Sequence, residues 1–288
     1  MAYEIMTDTS CDLPWDYYGK LNIVTLSLTV TMGSEQMNDD ENVDAAGFYK
    51  KLRGGSVATT SQITAPLFME RFSEILARGN DVFYAGLSSG LSGSYQSACL
   101  ARDELKDSFP GKRIYVGNSA CVTLGMGNVI LALCGLRDSG ADLDEAIRFF
   151  EETQICSHHL FTVDDLMFLM RGGRVSRASA VVGSLLGIKP MLHVNHEGKL
   201  IAHGKVRGRR KSLDSLVEEM AEFITGTELD YVSIAHGDCL EDAEYVMNKV
   251  KDRYTVKNSL IRILGPTIGA HSGPGTVALF FFGTPRVK

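Results

Sequence analysis

Residues 85–98 read AGLSSGLSGSYQSA, with Ser88, Ser89, Ser92 and Ser94 set among Gly86, Gly90 and Gly93. Hydroxyls donate to anions, and glycines let backbone N–H groups approach a ligand closely. A helix expected to begin near Ser94 would aim its positive N-terminal end at the same spot. Together these make a cradle for an anion or carboxylate, although a serine-rich turn with a capping hydroxyl would use the same residues. A second hydroxyl-dense segment, VATTSQITAP at 57–66, carries Thr59, Thr60, Ser61 and Thr64 into a helix expected from Pro66. If the sheet is parallel, both segments stand at successive strand-to-helix turns and converge at its carboxyl edge. The third, GPTIGAHSGPGT at 265–276, reads as a tight glycine loop that presents His271 beside Ser272. A histidine there can exchange a proton or a hydrogen bond near neutral pH.

Two basic stretches complete the set: RGGR with Arg171 and Arg174, and KVRGRRK with Lys205, Arg207, Arg209, Arg210 and Lys211. Guanidinium forks suit a carboxylate, a phosphate or an acidic partner surface, and a solvated face is their default role. Gly86-Leu87-Ser88-Ser89-Gly90 also fits GxSxG, with Asp238 and His271 following in the order Ser, Asp, His of a serine hydrolase. Against that alternative, the further glycine in SGLSG delays the helix that a nucleophile elbow needs, and no HGGG-type oxyanion segment is visible. Neither a Walker loop nor a strand-linked GxGxxG is present, so no nucleotide or other cofactor is expected. The acidic stretch EQMNDDENVD lacks calcium-loop spacing, and His158-His159, His193 and His196 lack zinc-site partners, so all are read as surface residues.

These residues need elements to position them. Short β-branched and aromatic runs at 3–6, 23–30, 82–87 and 113–117 alternate with helical patterns, which predicts an α/β fold with a mostly parallel N-terminal sheet. One helix at 66–78 sets Leu67, Phe68, Phe72, Ile75 and Leu76 on one face, and another at 212–225 repeats Leu213, Leu216, Val217, Met220 and Ile224. Asp142 and Glu145 form a capping box for a third. After Leu160 come a helix through Val181 and Leu185, a hairpin turning at 196–198, then helix, strand, helix and strand. The expected division is an N-terminal domain, 1–160, and a second α/β domain, 161–288, with a cleft between them.

At 288 residues and 44% hydrophobic the chain can bury a large core, and a net charge of -6 gives no general affinity for nucleic acid. Six scattered cysteines without a CxxC pair, no signal peptide and no apolar run of spanning length point to a cytoplasmic protein with no integral membrane association.

Taken in order, the motifs resemble the DegV family of bacterial fatty-acid-binding proteins, the binding subunits of the fatty acid kinase system. The matching pieces are TDTSCDLP at 7–14, TSQ at 60–62, SSGLSGSYQSA at 88–98 and SACVTLGMG at 119–127, followed by FTVDDLMFLMRGGRVS, LLGIKPML, GRRK, HGD at 236–238 and GPTIGAHSGPGT. The resemblance covers the whole chain. It implies a two-domain fold that buries one long-chain fatty acid between its domains and catalyses nothing itself. A separate ATP-dependent kinase would phosphorylate the acid's carboxyl group, giving an acyl phosphate for lipid synthesis. By motif, the head-group contacts fall on Thr60 or Ser61, on Ser92 and on His271. Arg171 and Arg174 would position the head group or dock the kinase, a role that Arg209 of GRRK could share.

Departures from the family pattern are small. Ile63 and Thr64 replace a common Pro and Ser, Met170 a frequent Lys, and Asn118 and Thr123 the commoner Asp and Ser. No head-group donor is lost, while Ile63 and Met170 bear on loop rigidity and kinase docking. Burial of an acyl chain is worth ~0.8 kcal/mol per CH₂, or ~10 kcal/mol for a long chain before entropic losses. Neutral hydroxyls and a histidine then suffice to orient the carboxyl group.

Overall fold

The computed structural model describes residues 2–176 and 187–286. In the first part of the chain the strands are β1 (Tyr3–Asp8), β2 (Ile23–Leu26), β3 (Thr29–Met32), β4 (Glu35–Asn38), β5 (Ala58–Ser61), β6 (Asp81–Gly86) and β7 (Ile114–Asn118). Four of them form an all-parallel sheet in the order β2-β1-β6-β7. The other three pair antiparallel as β4-β3-β5. The run at 23–30 is therefore not one strand. It breaks where Thr9 Oγ1 accepts the Leu28 N–H at 3.1 Å, and the chain turns from the first sheet into the second.

Later come β8 (Ser157–Thr162), β9 (Ile188–Val194), β10 (Leu200–Arg207), β11 (Glu228–His236), β12 (Thr255–Ile263) and β13 (Val277–Phe282). They form a six-stranded sheet ordered β10-β9-β8-β13-β11-β12, antiparallel except for β11 with β12. The β9–β10 hairpin turns where expected, with Asn195 Oδ1 accepting the Glu197 and Lys199 N–H groups. The helix expected through Val181 and Leu185 lies outside the described residues.

Helix Ala65–Ala77 buries Phe68, Phe72, Ile75 and Leu76 against the parallel sheet, but Leu67 faces solvent. The later amphipathic helix runs Arg209–Met220, starting earlier than expected and ending before Ile224. Asp142 and Glu145 make both bonds of the capping box. Helix Thr123–Asp138 is apolar on nearly every side, the pattern of a helix enclosed by protein. It packs on β8, β11 and β13, and its buried Asn128 accepts a 2.7 Å hydrogen bond from Ser233. One hydrophobic cluster consequently extends from Ile5 and Phe83 through Val129 to Phe161 and Phe280. Among the described residues no helix is long and apolar enough to cross a membrane.

Candidate ligand site

A cavity of about 200 Å³ opens between the sheets. Its walls are largely apolar, with Leu28, Leu87, Leu91, Phe161, Leu169 and Phe280 among them. Thr60, Ser61, Gln62, Ser92, Arg174 and His271 give the same cavity a polar region.

Each polar side chain has a local reason for its place. Pairing of β5 with β3 sets Thr60 opposite Val30, so Thr60 belongs to the small antiparallel sheet and not to a strand-to-helix turn of the parallel one. The 265–276 segment is likewise not a loop: Pro266–Ser272 is helical, with Pro266 in the first turn and Gly273 following at φ 77°. Pro at the start and Gly past the end mark a helix, a signal present in the sequence and missed. His271 sits in the last turn, and its Nε2 lies 2.8 Å from Thr60 Oγ1.

Asp12 and Asp39 hold the start of that helix. Asp12 Oδ1 accepts the Gly265 N–H at 2.8 Å, and Asp39 Oδ2 accepts the Thr267 N–H at 3.0 Å. Asp39, read as surface from its acidic stretch, is in fact buried because it caps this helix. Burial raises both acids, Asp12 to about 7 and Asp39 to about 6.

The serine loop is built as a hydrogen-bonded turn. Ser92 Oγ accepts the Ser94 N–H at 3.2 Å and lies 3.0 Å from Ser94 Oγ, which accepts the Ile63 N–H at 3.1 Å. Helix Ser94–Leu105 starts where expected. Ser94 thereby ties the Ser92 loop to the Thr60 segment. Asp8, at the end of β1, fixes the base of the loop by accepting from Ser10, from Tyr84 Oη at 2.9 Å and from the Leu87 N–H at 3.0 Å. In the sequence this buried acid stands only within the TDTSCDLP motif; its position at a strand end, two before a serine, is the available clue.

Arg174 reaches the cavity and donates to Leu91 O at 3.1 Å and to Gly172 O. Gly172 permits this close packing, since a Cβ there would fall 2.2 Å from His271 Nδ1. Burial first, and the Arg174 charge second, hold His271 down to about 4, so the ring is neutral near pH 7. Its buried Nδ1 has no hydrogen-bond partner among the described residues. An unpaired N–H costs more than an unpaired lone pair, which favours the Nε2–H tautomer. In that tautomer Nε2–H donates to Thr60, and the Thr60 hydroxyl proton is left for a ligand.

Arg171 and Arg209 do not line the cavity. Arg171 lies over Phe168, 5.6 Å from the ring centroid, and Arg209 pairs with Asp242 at 2.8 Å and approaches Asp164 at 3.6 Å. The histidines at 158 and 159 are not surface residues either. Both are buried in β8, and His159 reaches the cavity wall with Nδ1 near Ser157 O at 3.1 Å and Nε2 accepting the Val122 N–H at 3.2 Å.

The hydrolase arrangement does not form. Ser88 Oγ is buried and donates to Gly198 O at 2.8 Å, Asp238 pairs with Arg53, and His271 pairs with Thr60. With its three members committed to other partners, there is no relay to activate Ser88.

A family profile described as "Uncharacterised protein, DegV family" matches residues 2–284. The chain belongs to the DegV family. A DegV domain-containing protein of Clostridium perfringens is 38% identical over 286 residues, 99% of this chain and 98% of that protein. The solved structure of a DegV family protein from Thermus thermophilus, described as fatty acid binding, aligns with a TM-score of 0.90 at 29% identity, covering 98% of this chain and 100% of that one. The Streptococcus pneumoniae Fatty Acid Kinase B3 protein, loaded with linoleic acid, shares the fold with a TM-score of 0.84 at 19% identity, over 98% of this chain and 99% of that one. The mixed α/β architecture, with its parallel N-terminal sheet and second sheet-rich part, is thus that of DegV structures.

Proposed function

We propose that this DegV protein binds one long-chain fatty acid in the cavity and presents its carboxyl group to a separate ATP-dependent kinase. The carrying observation is the Thr60–His271 pair, a neutral hydroxyl oriented by a neutral imidazole at the edge of an apolar cavity. Apolar walls supply affinity through the acyl chain, and the polar group supplies orientation. In this reading Thr60, Ser61, Ser92 and His271 hold the carboxyl group, and residues 1–160 and 161–288 are the two domains enclosing it. Arg174 positions the head group. Arg171 and Arg209, outside the cavity, serve the partner surface. The fatty acid binding described for the Thermus thermophilus relative supports the ligand, and the family resemblance supports the kinase.

Protein purified from a bacterial host is extracted and the lipid measured by mass spectrometry. About one long-chain acid per chain is expected; no acid, together with no binding of added oleate or palmitate, overturns the reading. Acyl-phosphate formation with the partner kinase tests the second half.

A further inference from the structure

A second cavity, of about 300 Å³, lies at the far end of helix Ser94–Leu105 from the head-group serines. Twelve residues of helix separate the two, about 18 Å. Its apolar surface comes from Leu76, Leu105, Phe109 and Ile114, and its rim from Arg102, Lys106, Lys112 and Arg113. Against these four cations the lining holds one acid, Asp103, in a chain whose net charge is -6. Compensation of the helix dipole accounts for Arg102 and Lys106, at the helix end. Lys112 and Arg113 reach the same rim from the segment leading into β7. The rim also keeps donors in hand. Lys106 makes no hydrogen bond or ion pair among the described residues. Arg102 hydrogen-bonds Asp103 through Nε alone, and Lys112 gives one N–H to Gly79 O at 2.5 Å. Arg113 is held by Asp144 at 2.6 and 3.0 Å. Both arginine pairs are exposed, and exposed pairs are weak enough to yield to a stronger anion.

We propose that this cavity binds a nucleoside diphosphate, without a Walker loop or a GxGxxG turn. A bare anion would leave the apolar surface empty, and a neutral ring would leave the positive rim unmet. Half-buried Phe109 offers an aromatic surface to a base, and the ammonium and guanidinium donors of the rim suit the two phosphates. A single carboxylate would use only part of that charge. The site stands apart from the fatty-acid reading, because it shares no residue with the first cavity.

The test is titration of the full chain with a fluorescent ADP analogue, competed by ADP, adenosine and pyrophosphate. ADP is expected to compete roughly tenfold or more better than adenosine or pyrophosphate, since each of those makes only part of the contacts. Lys106→Gln, an exposed change that should leave urea unfolding unaltered, is expected to weaken ADP roughly tenfold, the value of a hydrogen bond to a charged group. Lys112→Gln gives a second reading of the same rim. Pyrophosphate competing as well as ADP would reduce the site to an anion patch and overturn the inference. Unchanged ADP binding in both lysine variants would put the nucleotide elsewhere and overturn it too, as would no binding of ADP at millimolar concentration.

Discussion

Thr60 Oγ1 lies 2.8 Å from His271 Nε2, although 211 residues separate them in the chain. One comes from a strand of the small antiparallel sheet and the other from a short helix leading into β13. Because the imidazole orients the hydroxyl, the two should act as one unit. Thr60→Val is expected to weaken fatty-acid binding roughly tenfold, the value of one hydrogen bond, and His271→Ala by at least as much. The double variant should lose no more than the worse single one, as coupled neighbours do. Calorimetric titration with oleate checks this, and fully additive losses would show that they act independently.

Gly172 tests the same pair from the other side. A methyl group there would fall 2.2 Å from His271 Nδ1, so Gly172→Ala must displace the ring and disturb its contact with Thr60. Overpacking of this kind typically costs ~1–3 kcal/mol. Binding should fall with a modest loss of stability, read from oleate titration and urea unfolding. Wild-type affinity would mean that the ring position is unimportant.

Asp8 should matter for folding more than for ligand contact. Asp8→Ala removes the shared acceptor of Ser10, Tyr84 Oη and the Leu87 N–H, all of them buried. Each unsatisfied donor costs ~1–3 kcal/mol, so urea unfolding should show a loss of ~3 kcal/mol or more. A loss below ~1 kcal/mol would indicate that water replaces the carboxylate.

The titration of the site should show two opposed slopes. His271 is held down to about 4 from 6.5, so the unfolded chain binds the extra proton between those values and stability is lost as pH falls through that window. Asp12 is raised from 3.8 to about 7, so here the folded chain holds the extra proton and stability is lost as pH rises from about 4 to 7. Because the two windows overlap, the slopes largely cancel in the wild type. His271→Gln should unmask the loss of stability as pH rises from about 4 to 7, and Asp12→Asn, which keeps an acceptor for the Gly265 N–H and tolerates the φ of 52°, should unmask the loss as pH falls through the His271 window. Urea midpoints across this range, for wild type and both variants, decide it; unchanged slopes would place the titration elsewhere.

The elements most legible in the sequence were those that local chemistry decides. The start of helix Ser94–Leu105 and the Asp142 capping box depend on neighbouring residues and were found where expected. What local reading missed depends on distant partners. Asp39 and His158 are polar letters that look solvated until a helix end or a stacked Phe223 arrives to cover them. The 23–30 run has the right residues for one strand, and only the Thr9 hydroxyl divides it. In the candidate site, motif order gathered Thr60, Ser92 and His271, while the supporting hydrogen bonds of Ser94, Asp12 and Asp39 needed coordinates to appear.

Strand β13 lies between β8 and β11 in the middle of the six-stranded sheet, and it contributes Ala278 and Phe280 to the cavity. During synthesis the ribosome delivers this central strand after both of its neighbours. Until residue 282 has emerged, the cavity lacks a wall, so on the proposed function a nascent chain cannot close around a lipid early. Acquisition of that ligand would then be tied to completion of the sheet.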